Sequence, residues 1–104
     1  MTVRCEPRAG GAEVGAQVVL AMAARAGIPP LAADRLRGDL RDALQAAGGA
    51  VELACSADED GLTVVISSAG GSLSDVTAAL DGHAAEAGDG AVTVRVRRTP
   101  LRSV

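Results

Sequence analysis

Two adjoining patterns constrain this chain most. An apolar stripe at helical spacing runs from Leu31 to Ala47, and two alternating runs follow it directly, ending near Ala69. Leu36, Leu40, Ala43, Leu44 and Ala47 recur three or four residues apart, so a helix gathers them on one face. Arg35, Arg37, Arg41, Asp42 and Gln45 fall on the other faces. Pro29-Pro30 opens the helix, because the first turn has no acceptors for its N–H groups and proline has no N–H to lose. Gly48-Gly49 closes it, since glycine tolerates the left-handed C-terminal cap. Beyond it, Val51, Leu53 and Cys55 alternate with Glu52, Ala54 and Ser56, and Leu62, Val64 and Ile66 alternate with Thr63, Val65 and Ser67. The Asp58-Glu59-Asp60-Gly61 turn between the runs predicts a hairpin with one apolar face. Helix stripe and hairpin face must cover each other, leaving the other face of the hairpin polar.

The flanking segments extend this design. Thr2–Glu6 reads as a short strand with Val3 and Cys5 on one side, ended by Pro7. Ala12–Ala26 reads as a helix capped by Gly27, with Val14, Val18, Ala21 and Met22 as its core stripe. Val19, Leu20, Ala23 and Ala24 make its other faces apolar as well. A two-layer fold buries only one such face, so Val19, Leu20 and Ala23 are the candidate interface and the expected state is a homodimer. After Gly70-Gly71, Ser72 or Ser74 caps a third helix, with Asp75 in its first turn and Val76, Leu80, His83, Ala84 and Ala87 as its stripe. Gly88-Asp89-Gly90 turns into a last strand, Ala91–Arg98, with Val92, Val94 and Val96 inward. The order β-α-α-β-β-α-β predicts a single α/β (α+β) domain over 1–104. Its architecture is a two-layer sandwich, a mostly antiparallel four-stranded sheet with three helices on one face.

Composition narrows the function. The chain has 104 residues and no Phe, Tyr or Trp, so its core must come from aliphatic residues and alanine, and no aromatic platform for single-stranded nucleic acid exists. No apolar run is long enough to span a membrane, and residues 1–8 lack a signal-peptide core, so the expected location is cytoplasmic. All 13 acidic residues precede Gly90, and Arg95, Arg97, Arg98 and Arg102 form a basic end that reads as a solvated edge strand rather than a nucleic-acid site. Cys5 and Cys55 belong to no CxxC pair, and with the single His they cannot complete a zinc site, so no metal is expected. His83 stands without an acid, thiol or metal cluster in the sequence and reads as a hydrogen-bonded core or boundary residue. Asp39 and Asp42 share a helix with flanking arginines and read as a solvated face, with Arg35 one turn from Asp39.

The element order, Ala16–Gly27 with Ile28-Pro29-Pro30, the Asp34–Ala47 helix, the Val51–Ile66 hairpin and the Gly90–Arg97 strand resemble the histidine-kinase-like ATPase family, in particular the small anti-sigma-factor serine kinases of bacteria. In that family the organising helix carries a Glu and, four residues later, an Asn that holds Mg²⁺ beside the phosphates. Those positions fall on Asp42 and Ala46, and alanine cannot bind a metal. The family's Asp-x-Gly adenine turn falls on Ser68-Ala69-Gly70, where a hydroxyl replaces the acid. The glycine-rich lid has no room, because Gly71 runs almost directly into the third helix. The resemblance therefore implies a degenerate nucleotide site at Asp42, Ala46, Ser68 and Gly70, with no cofactor. It implies a non-catalytic regulatory module that binds a protein partner, the partner class being a transcription regulator. The alternatives are a small enzyme or enzyme subunit using the cleft near Asp42 and Ser68, and a structural homodimer.

Overall fold

The structure, a computed structural model, describes residues 2–5, 10–47, 49–68, 73–80, 83–88 and 90–97. Its elements are β1 (Thr2–Cys5), α1 (Gly11–Arg25), α2 (Pro30–Ala46), β2 (Val51–Asp58), β3 (Gly61–Ser68), α3 (Ser74–Ala79), β4 (Ala84–Gly88) and β5 (Ala91–Arg97). The strands form one antiparallel sheet in the order β1-β2-β3-β5-β4. Cross-strand register lines up the apolar positions: Val3, Leu53, Ile66, Val92 and Ala87 stand in one row, and Cys55, Val64, Val94 and Ala85 in the next. Leu53, Cys55, Val64, Ile66, Val92 and Val94 of these rows join Leu36, Leu40, Ala43 and Leu44 of α2 and Val76 and Leu80 of α3 in one buried cluster, with Val3 and Ala85 packed against it. The other face of the sheet carries Thr2, Ala54, Val65, Thr93 and Glu86 side by side.

The helix ends follow from local chemistry. Gly27 takes φ 78° just past α1, and its N–H reaches Ala24 C=O at 3.3 Å while Ile28 N–H reaches Ala23 C=O at 3.0 Å. That pair of bonds is the Schellman closure, and the buried Ile28 supplies its usual apolar contact. Pro30 occupies the first position of α2, as expected. Gly48 lies outside the described residues, and α2 ends on Ala47. In the β2–β3 turn Gly61 has φ 142°, and Asp58 Oδ1 accepts from the N–H groups of Asp60 at 2.8 Å and Gly61 at 3.1 Å. Asp58→Ala removes this acceptor and both of its hydrogen bonds and should lower stability by about 1 kcal/mol. The check is a lowered urea midpoint with an unchanged slope.

Two expectations are corrected. First, the third helix stops at Ala79, and residues 84–88 form a fifth strand on the outer edge of β5. The sheet is therefore five-stranded, and β5, expected at an edge, lies between β3 and β4. Ala84, Ala87 and the intervening Ala85 fit a helical stripe and a strand alternation equally well. Pairing with the backbone of β5, through the turn at Gly90 (φ 72°), decides between them. Ser74 is the first residue of α3, and its N-cap is Leu73, with no side-chain cap bond. Ser72 lies outside the described residues.

Second, α1 presents its other face to the core. Ala12, Gly15, Ala16, Val19 and Ala23 are buried, whereas Val14 is 60% exposed. Small residues on the inner face let the helix lie close to the sheet and α2, a fit that a stripe led by Val14 and Met22 would hold off. Val19 and Ala23 are therefore core residues of the monomer, and Leu20 packs partly buried against that core. The surface assigned to self-association is largely consumed by the fold.

The register places Cys5 opposite Val51, four residues along β2 from Cys55. Four strand residues span about 13 Å, well beyond the Cα separation of roughly 7 Å that a disulfide tolerates. Cys55 is buried and is not in a disulfide.

Candidate functional site

α2 positions most of the residues that carry chemistry. Its inner face is fixed by Leu36, Leu40, Ala43 and Leu44, so Asp42 is turned to solvent, with its carboxylate 3.7 Å from the Arg41 guanidinium. Ala46 lies one turn further on, half-buried at the flank of the helix. Ser68 ends β3 directly opposite Val51, the first residue of β2, so chain continuity sets Ala46 and Ser68 at the same end of the sheet. Gly70 lies outside the described residues. Of the four positions assigned to a degenerate nucleotide site, Asp42 is engaged only with its neighbour Arg41 among the described ion pairs.

The structure assembles two constellations that the sequence did not announce. The first ties α1 to α2. Glu13 is 3.5 Å from Arg37 and 3.8 Å from Arg41, and it accepts a bond from Gln17 at 3.1 Å. Arg37 also reaches Asp34 at 3.2 Å. Only the Glu13 pairs with Arg37 and Arg41 cross between the helices, and such surface pairs contribute little to stability.

The second constellation joins Asp39 of α2 to His83, between α3 and β4. Asp39 Oδ2 and His83 Nε2 are 2.6 Å apart, and the side chains are 38% and 13% exposed. His83 was expected to lack an accompanying acid and to sit on a helix stripe. It has that acid, and it lies past the end of α3. The partners are separated by 44 residues, so no spacing rule brings them together. The carboxylate that sequence spacing offered to Arg35 is directed to His83 instead. One ring nitrogen is thereby fixed by a carboxylate, which orients the imidazole.

Among the described residues, no group of three or more His, Cys, Asp and Glu side chains is arranged to hold a metal ion. No described helix is long and apolar enough to cross a membrane. At the other end of the chain, Arg95 pairs with Glu86 at 3.7 Å across β4 and β5, so one member of the basic group is met by an acid within the sheet. Compared with protein-family models and with curated proteins, the sequence matches none.

Proposed function

We propose that the chain is a non-catalytic, protein-binding regulatory module related to the anti-sigma-factor kinases, with its nucleotide site lost. The observation that carries this reading is the state of α2. The helix opens on Pro30 and precedes the hairpin, in keeping with the pattern of the resemblance, while the position that the resemblance implies for metal holding is Ala46. A methyl group offers no lone pair to Mg²⁺, and Asp42 faces solvent beside Arg41 rather than a phosphate cradle. The partner is a protein, a transcription regulator by the class the resemblance implies, and the setting is cytoplasmic. Self-association into a homodimer is part of the proposal. With Val19 and Ala23 in the monomer core, any such contact has to use Leu20 together with exposed residues such as Val14.

Isothermal titration with ATP and Mg²⁺ is expected to give no saturable heat up to millimolar nucleotide. Saturation at micromolar ATP would overturn the reading. Capture of a transcription regulator from the native host by the tagged chain would support it.

One observation favours a second reading, a small enzyme. The Asp39–His83 pair is a carboxylate-oriented imidazole, the arrangement that general-base catalysis uses. It differs from the cleft near Asp42 and Ser68 expected for an enzyme, and the two are separable by activity loss in His83→Gln against Asp42→Asn.

A further inference from the structure

We propose that α3 and β4 form a strap that opens and closes as one unit, with the Asp39–His83 bond as its latch. α3 has six residues, fewer than two turns, and is far shorter than a helix that holds itself in water. Its N-cap supplies no side-chain bond, so contacts with the rest of the protein hold it in place. Those contacts are the buried Val76 and Leu80. β4 is equally dependent. It is an edge strand of five residues paired, among the described residues, only with β5, and Ala85, which packs partly buried against the core, is small and buries little apolar area.

His83 connects these two weak elements to each other and to α2. Its N–H donates to Leu80 C=O at 3.1 Å, continuing the turn that ends α3. Its C=O accepts from Ala85 N–H at 2.8 Å, starting β4. Its ring reaches Asp39 at 2.6 Å. Among the described residues this is the one side-chain hydrogen bond or ion pair between the α3–β4 segment and α2. Of the neighbouring charged groups, Glu86 of β4 is directed to Arg95 of β5, and Asp42 of α2 to Arg41. Breaking this one bond therefore weakens the attachment of both elements at once. Opening of the strap uncovers the Asp39 carboxylate and the part of the apolar cluster that Val76 and Leu80 cover. This proposal does not rest on the loss of nucleotide binding.

Hydrogen exchange followed by mass spectrometry on the full chain tests it. In His83→Ala the protected amides of α3 and β4 should exchange faster by on the order of tenfold, the value of one charge-assisted hydrogen bond, while β2 and β3 keep their protection. Asp39→Ala should give the same pattern. The double variant should add little to either single change, because both remove the same bond. Asp39→Asn, which keeps an acceptor oxygen but not the charge, should accelerate the same segment by less, and it decides the matter alone if an alanine variant does not fold. Equal acceleration throughout the chain would overturn the proposal, since the bond would then support the whole fold. Unchanged exchange, or acceleration of α3 or β4 alone, would overturn it too.

Discussion

Val19→Glu should leave no folded monomer. Val19 is completely buried between α1 and the sheet, in a core whose described residues include no buried polar or charged side chain. A carboxylate placed there finds no donor, and an unpaired buried charge costs several kcal/mol even after it neutralises. A small domain holds only about 5–15 kcal/mol in reserve, and this core has no aromatic side chain to enlarge that margin. The helical circular dichroism signal should collapse at room temperature. A folded Val19→Glu protein that has merely lost association would restore Val19 to an interface. Leu20→Glu is the matched control. Leu20 lies partly buried at the margin of the core, so its charge can reach water and the loss should be clearly smaller.

Leu40→Ala should cost about 2–5 kcal/mol, read as a lowered urea midpoint by circular dichroism. Leu40 is fully buried on α2, and truncation leaves a void in the core cluster to which it belongs. Its neighbour Arg41 gives the contrast. Arg41 is 42% exposed, and its two ion pairs, at 3.7 and 3.8 Å, lie on the surface. Arg41→Ala should cost under about 1 kcal/mol, and less at high salt. Equal losses at the two positions would mean that α2 is rotated from the orientation described.

What the sequence revealed of the fold depended on side-chain contrast. α2 and the β2–β3 hairpin were legible because large aliphatic residues recur against arginine, glutamate and serine, so only one face can be inward. α1 offered no such contrast. With valine, leucine, methionine and alanine all round, the choice of face rested on volume: the alanine-lined side packs closer, and volume complementarity is a property of the assembled pair. β4 escaped for a related reason. Alanine at 84, 85 and 87 fits a helix or a strand, and the edge that recruits it belongs to another part of the chain. The degenerate positions Asp42 and Ala46 could be placed because they ride on α2, whereas Asp39 and His83 could not be joined. Their proximity comes from how α3 lies on α2, and no local period encodes it.

The sheet order has a consequence for how the molecule assembles. β2 with β3, and β4 with β5, are neighbours in sequence and can zip through short turns. β1 has only one partner, the Val51–Ala54 half of β2, and both α1 and α2 intervene between them. During synthesis, Thr2–Cys5 exists for the making of almost fifty further residues before any strand is there to receive it. A loop that long closes slowly and late. Until it does, the outer edge of β2 stands open to any other extended segment within reach. Four residues of β1 are therefore the seal on the nascent sheet, and the chain is most vulnerable to mispairing with its own copies in the interval before they arrive.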